Sequence, residues 1–413
     1  MKILFATSSF GGGGITSYAH EVINNFSKGN DFSVLIGDDK VSPITTPGVK
    51  IYRYECRDLS VKNALAVINV INNEIRPDLI LSNNAWIISL VAKYLDNNIK
   101  IVTLSHSLRY EEADMAAIAY KYVDKVIAAS STYNKEYLKK RFSIDGEKID
   151  IILNFVEELP DAETWRRKKI ENTSPCLIAF PGGASGSKSP DIVLKIALKL
   201  AKTDLNFVLN WNKKTQITGK NLGFLNIRDI KDFVSDERIK FLGRLPTRQD
   251  AIDLISSAHI FLAPSRREGC PIALLEAMRA GTIPLVADFD VANKEMIKDG
   301  YNGFVIGHND IQGWVNRIRD IIENPHKYDS IYENSYKTFK ELYTYPVWKK
   351  NMEKALNECQ NNHVSRVKKV SKTELIFKIL YYKFDLFRCH YELLYNEGIK
   401  VLYQFLKIKY VKH

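Results

Sequence analysis

Nothing in this 413-residue chain approaches the roughly 20 consecutive apolar residues of a membrane-spanning helix, so an integral membrane protein is not expected. The apolar start, Met1-Lys2-Ile3-Leu4-Phe5-Ala6, is too short for a secretory leader and runs into glycines, so it reads as a first strand. Cysteine is sparse: Cys56, Cys176, Cys270, Cys359 and Cys389 are odd in number, scattered and without metal-site spacing. That argues against a disulfide framework or a zinc site and for a reduced, cytoplasmic protein. There is no G-x-G-x-x-G dinucleotide fingerprint, no internal repeat and no low-complexity tract. Asp288-Phe289-Asp290 has the spacing of a metal-holding carboxylate pair, but it follows Val286 in a predicted loop, and no metal is expected.

What is present is basic. The net charge is +11, and residues 364–413 hold eleven basic side chains against four acidic ones. No nucleic-acid-binding module accompanies that charge, so nucleic acid is not expected as a partner. At this length one core is insufficient, and two domains plus an appendage are expected.

The first half alternates strand-like segments (Ile3–Thr7, Phe32–Ile36, Val49–Tyr54, Leu79–Leu81, Ile101–Leu104, Lys125–Ala128, Ile149–Leu153) with helical patterns such as Ile15–Phe26, Val61–Ile75 and Tyr133–Phe142. That rhythm predicts an α/β unit with a parallel sheet covered on both faces. The charged stretch Glu157–Ser174 reads as a connection, after which the alternation restarts with Cys176–Phe180 and runs to a helix over Ile331–Leu342.

The most informative stretch lies in the second half. Ile260-Phe261-Leu262-Ala263-Pro264-Ser265 reads as a buried strand, and Arg266-Arg267-Glu268-Gly269-Cys270-Pro271-Ile272-Ala273-Leu274-Leu275-Glu276 follows it. Pro271 suits the first helical position and Gly281 the place just past the helix end. Glu268 and Gly269 are therefore expected on a loop against a helix N-terminus, whose unpaired N–H groups and partial positive charge suit a phosphate. Glu276 is expected one to two turns inside. Two carboxylates on such a unit suit sugar hydroxyls.

The Glu268 to Glu276 spacing resembles the signature of retaining glycosyltransferases, especially the large family four. Ala277-Met278-Arg279-Ala280-Gly281-Thr282-Ile283-Pro284-Leu285-Val286 and Ile297-Lys298-Asp299-Gly300-Tyr301-Asn302-Gly303-Phe304-Val305 are similar to its next two elements. The resemblance covers roughly residues 1–360. It implies GT-B architecture, two Rossmann-like domains facing across a cleft, here at 1–158 (acceptor side) and 175–344 (nucleotide sugar). A crossover helix back onto the first domain follows at 345–360, then a basic amphipathic helical tail at 361–413. It also implies a retaining, metal-independent transferase. Glu268 would stabilise the donor sugar, Glu276 would hold the ribose hydroxyls, and Gly269, Cys270, Pro271, Ile272 and Ala273 would line the donor.

Four further elements join it. Gly11-Gly12-Gly13-Gly14 after the first strand lets a backbone approach a ligand closely, with Gly12, Gly13 and Gly14 expected at the site. His106 ends a predicted strand in Thr103-Leu104-Ser105-His106-Ser107, where the family carries a histidine that touches the sugar. Lys188, in Phe180-Pro181-Gly182-Gly183-Ala184-Ser185-Gly186-Ser187-Lys188-Ser189-Pro190, resembles the diphosphate-binding lysine of a "G-R-L-x-x-x-K-G" loop. Gly183 stands where that pattern has arginine, and Arg266, Arg267 and Arg244 are the candidate substitutes. Phe241-Leu242-Gly243-Arg244-Leu245 resembles the strand and loop that meet the base, while Asn210-Trp211-Asn212-Lys213-Lys214 departs from the family's glycine-rich segment.

The expected function is sugar transfer from a nucleotide sugar, a UDP-sugar favoured over a GDP-sugar, to a hydroxyl of a glycan or lipid-linked acceptor. The setting would be bacterial surface polysaccharide or glycoconjugate synthesis, with no further cofactor. The tail offers Ile376, Ile379, Leu380, Phe384, Phe387, Tyr391 and Leu394 at helical steps among lysines, an arrangement suited to anionic lipid on the inner face of the cell membrane. Helices packed back on the enzyme or on a second subunit are the alternative for the tail. A membrane-associated scaffold with a decayed donor site, or a same-fold sugar-nucleotide epimerase, are the alternatives for the whole.

Overall fold

The computed structural model describes residues 1–413 apart from 9–13, 38–43, 45, 56–59, 107–109, 183–185, 212–235, 243–244, 246, 267, 290, 361–363, 368 and 381–413. The chain divides into two compact units. The first comprises 1–128, 134–150 and 354–413, and the second 129–133 and 151–353.

The first unit is built on seven strands: β1 (Lys2–Thr7), β2 (Asp31–Ile36), β3 (Lys50–Arg53), β4 (Leu79–Asn83), β5 (Lys100–Ser105), β6 (Lys125–Ala128) and β7 (Ile149–Ile151). Their order in the sheet is β3-β2-β1-β4-β5-β6-β7. The pairings from β3 through to β6 are parallel, with Leu4 opposite Ile80. Central strands of such a sheet are covered on both faces and so read as unbroken apolar runs. Ile3, Leu4, Phe5 and Ala6 are each 0% exposed.

The second unit repeats the plan with β8 (Cys176–Phe180), β9 (Phe207–Trp211), β10 (Ile239–Phe241), β11 (Ile260–Ala263), β12 (Ile283–Ala287) and β13 (Phe304–Ile306). Their order is β10-β9-β8-β11-β12-β13. In both sheets the chain winds outward to one edge, returns, and continues on the other side of the first strand. The reversal falls between β1 and β4, and between β8 and β11. At such a point the crossover helices leave on opposite faces and open a crevice at the carboxyl ends of the strands.

Two expectations require correction. The stretch 157–174 is not merely a connection, because it carries the helix Ala162–Glu171. This helix lacks an apolar stripe; its buried face includes Arg166 and Lys169. The Lys169 ammonium donates to the Ala280 carbonyl (2.6 Å) and Thr282 Oγ1 (3.0 Å), satisfying the end of a neighbouring helix. Burial, then Arg166, pushes Lys169 well below the ordinary lysine value.

The second correction concerns the tail. Its described part is core structure of the first unit. Arg366 is 5% exposed and donates to the carbonyls of Tyr122, Asp96 and Ile99 and to Asp124 Oδ2 (2.8 Å). A helix at 372–380 follows, with Leu375 and Ile379 buried in the same core as Leu4 and Ile80. Ile379 therefore faces protein, whereas Ile376, Phe377 and Leu380 are 47%, 67% and 55% exposed. Lys93 and Glu374 pair at 2.6 Å. The tail beyond 380, including Phe384, Phe387, Tyr391 and Leu394, lies outside the described residues.

Removing Arg366 strands three carbonyl oxygens and leaves Asp124 the more distant Lys100 (3.3 Å) as counter-ion. Arg366→Ala should therefore cost about 3–5 kcal/mol and Leu375→Ala about 2–5 kcal/mol. Phe377→Ala on the outer face should change stability by no more than about 0.5 kcal/mol. Urea unfolding of the three full-length variants measures this, and a wild-type midpoint for Arg366→Ala would remove the tail from the core.

Candidate active site

In the second unit the reversal point places the ends of β8 and β11 side by side. Lys188 follows β8 and Glu268 follows β11, and their side chains meet, Nζ to Oε1, at 2.5 Å. The Glu268 side chain is 10% exposed and that of Lys188 36%. A carboxylate this far from water needs a counter-charge, and the lysine supplies one. The loops are also joined through backbone, with Arg266 N–H donating to the Ser187 carbonyl (2.9 Å). The Arg266 guanidinium lies against Asp191, 3.2 Å from Oδ2.

Lys188 ends a single tight turn, Gly186–Lys188. Ser189 then adopts the left-handed region at φ 51°, ψ 54° before Pro190 opens the helix Pro190–Leu200. A residue with a side chain is disfavoured there by roughly 1–2 kcal/mol. Ser189 stands at the position where the resembling loop pattern carries glycine. Its hydroxyl does not cap the helix; it lies 3.0 Å from Nε2 of His308, just after β13.

The helix carrying the second glutamate runs Ile272–Arg279, with Pro271 as its N-cap at φ −70° rather than as its first turn residue. It stops at Gly281, whose φ of +66° and close neighbours (Arg166 Cδ and the Tyr332 carbonyl at 2.5 and 2.9 Å from a would-be Cβ) admit no side chain. Glu276 is 8% exposed, and Arg248 lies 3.7 Å from its Oε1. Burial, opposed by Arg279 and Arg248, holds its carboxyl above the ordinary value. Gly269 and Cys270 are buried, and Pro271 and Ala273 half-buried. Burial pushes the Cys270 thiol up to about 12, so it is inert. Asn154 fixes this loop by donating to the Cys270 carbonyl (2.8 Å).

In the first unit, His106 lies at the end of β5, 5% exposed. Its Nε2 is 2.5 Å from Asn83 Oδ1 at the end of β4, while Asn83 Nδ2 donates to Thr7 Oγ1 at the end of β1. The Asn83 oxygen can only accept, so Nε2 carries the hydrogen and Nδ1 is the acceptor. Tyr18 meets the ring edge-on at 4.6 Å. Gly14 opens the helix Gly14–Phe26.

A family model described as Glycosyl transferases group 1 matches residues 161–338, and one described as Glycosyltransferase Family 4 matches residues 12–158. The Anabaena protein HepE, solved with UDP and glucose, superposes with a TM-score of 0.69 at 17% identity, over 86% of this chain and 99% of that one. The chain is a GT-B glycosyltransferase resembling family four. Among curated relatives of this glycosyltransferase is an Escherichia coli protein named UDP-Gal:alpha-D-GlcNAc-diphosphoundecaprenol alpha-1,3-galactosyltransferase. It is 22% identical over 306 residues, 68% of this chain and 75% of the relative. An uncharacterized Haemophilus influenzae glycosyltransferase is 29% identical over 162 residues. That match spans 39% of this chain and 42% of the Haemophilus protein's length.

Of the residues expected at the site of this glycosyltransferase, Lys188 and Glu268 come together, with Gly269 to Ala273 and Glu276 on the same loop and helix. Leu245 is half-buried beyond β10. Gly12, Gly13, Gly183, Arg244 and Arg267 lie outside the described residues. Sequence reasoning missed Arg248 and His308. His308 had a usable signal, since like His106 it follows a strand at the carboxyl edge. Arg248 had none, because no spacing links it to Glu276.

The raised carboxyl of Glu276 has a consequence. Stability from its uncharged form is fully present below the ordinary value of roughly 4.3 and is lost as pH rises through the folded value. Glu276→Gln removes that loss. Its melting temperature should gain on wild type progressively as pH rises above about 4, and parallel profiles would refute a strained buried carboxylate.

Proposed function

We propose that this enzyme moves a sugar from a UDP-sugar to a hydroxyl of a lipid-linked or glycan acceptor, with retention of configuration and without a metal ion. The observation that carries the reading is the Lys188–Glu268 contact at the reversal point. A cation there suits the departing diphosphate, and a neighbouring carboxylate suits the sugar hydroxyls and the positive charge that develops at the anomeric carbon. The N-terminus of the helix Ile272–Arg279 adds backbone N–H groups for phosphate. Glu276 would take the ribose hydroxyls, Leu245 the edge of the base, and Gly14 with the preceding glycines the backbone niche of the first unit. His106 would accept a hydrogen bond from a sugar hydroxyl through Nδ1. The printed name of the Escherichia coli relative and the UDP of the Anabaena complex support a uridine donor and, for the former, a diphosphate-lipid acceptor.

In the proposed step the acceptor oxygen bonds to the anomeric carbon on the face that the diphosphate leaves. The bond from carbon to phosphate oxygen breaks with its electron pair going to that oxygen, and the acceptor proton follows it. Lys188 balances the new charge, a task that a divalent cation would otherwise perform.

The outer face of the helix 372–380 would meet anionic lipid, with Ile376, Phe377 and Leu380 entering the interface and the exposed Lys369 and Lys372 beside them. No helix among the described residues is long and apolar enough to cross a membrane.

Nuclear magnetic resonance of the reaction with UDP-sugars tests the chemistry. The product should keep the donor's anomeric configuration, form in excess EDTA, and fall by more than tenfold in Glu268→Ala, a barrier increase of at least about 1.4 kcal/mol. An inverted product, an isomerised donor without transfer, or activity that EDTA abolishes and Mg²⁺ restores would each overturn part of the reading. For the surface, Phe377→Asp should stop the full chain pelleting with anionic vesicles while leaving its melting temperature unchanged; undiminished pelleting would exclude this face.

A further inference from the structure

The turn that presents Lys188 is held from both sides by residues from other strand ends. On one side, Arg266 after β11 donates its backbone N–H to the Ser187 carbonyl, and its guanidinium pairs with Asp191. On the other, Ser189 sits in the left-handed region and is 0% exposed. A serine at a helix start ordinarily turns its hydroxyl to a first-turn N–H, but this one is given to His308 instead. His308 Nδ1 lies 3.1 Å from Asn309 Oδ1, an oxygen that only accepts, so Nδ1 bears the hydrogen and Nε2 accepts from the Ser189 hydroxyl. The histidine is itself anchored, since its backbone N–H donates to Asp288 Oδ1 (2.9 Å) after β12. Burial and the nearby Arg266 keep His308 below the ordinary histidine value, against Asn309, Asp191 and Asp288, so it is neutral at pH 7 and free to accept.

We propose that His308 is a positioning residue for Lys188: by accepting the Ser189 hydroxyl it holds the left-handed turn that aims the lysine at the donor diphosphate. Backbone strain persists where the surroundings over-determine it, and three strand-end loops do so here. Glycine would hold the same turn unaided. Serine makes its geometry depend on a residue over a hundred positions away. The inference rests on the assignment of Lys188 to the diphosphate.

The test is calorimetric titration of UDP into full-length variants, each checked for its melting temperature. His308→Ala should weaken UDP binding by about tenfold. His308→Gln, whose side-chain oxygen can accept the same hydroxyl, should recover most of that loss. Ser189→Ala keeps the strain and loses the bond, so it should match His308→Ala, whereas Ser189→Gly should cost less. In the Ser189→Gly background, His308→Ala should add little. A histidine that merely supports the fold would instead lower the melting temperature by the same amount in both backgrounds and leave UDP affinity unmoved, which overturns the proposal. Lys188→Ala separates the two levels. If it binds UDP like wild type, the diphosphate assignment fails and the positioning role falls with it. If it binds weakly while His308→Ala does not, only the positioning role is wrong.

Discussion

A carboxylate nine-tenths withdrawn from water, Glu268, stands 2.5 Å from the ammonium of Lys188, and much of the second unit serves to keep them there. The pair exists because the chain reverses between β8 and β11, so that residues 80 apart in sequence leave neighbouring strand ends. Buried charges are tolerated when they are paired, and here each member of the pair supplies the other's counter-charge. Arg266 pairs with Asp191 alongside, so the cation next in line carries a counter-ion of its own.

The strands were legible because parallel sheets covered on both faces demand unbroken apolar runs, and β6 and β8 coincide with their expected limits. The loop from Arg266 to Gly281 was legible because proline and glycine mark where a helix can start and must stop. Contacts between strand ends were not, since the distance from Ser189 to His308 is a property of strand order. The helix Ala162–Glu171 escaped because two of its three buried positions, Arg166 and Lys169, are basic. A lysine there does the work of a C-cap for another helix, and no periodicity of apolar residues announces that.

The tail was half legible. Its helical spacing was visible, yet spacing alone does not say which way an amphipathic helix faces. Leu375 and Ile379 enter the core while Ile376, Phe377 and Leu380 point outward, so the helix at 372–380 is apolar on two sides. Arg366 settles the inner side by joining three carbonyl oxygens to Asp124, a set of acceptors that only a guanidinium's fan of donors could satisfy together.

That arrangement bears on the order in which the molecule comes into being. The first unit takes its core from residues near both ends of the chain, with the whole second unit encoded between them. During synthesis, Asp124 is made long before Arg366, and at 5–20 residues per second the wait is about 10–50 s. For that interval the nascent first sheet lacks Leu375, Ile379 and the nearer of the two cations on its buried aspartate, whereas the second unit already has its own strands complete. The domain begun first is therefore the one finished last, and the ribosome rather than the fold sets the moment at which it closes.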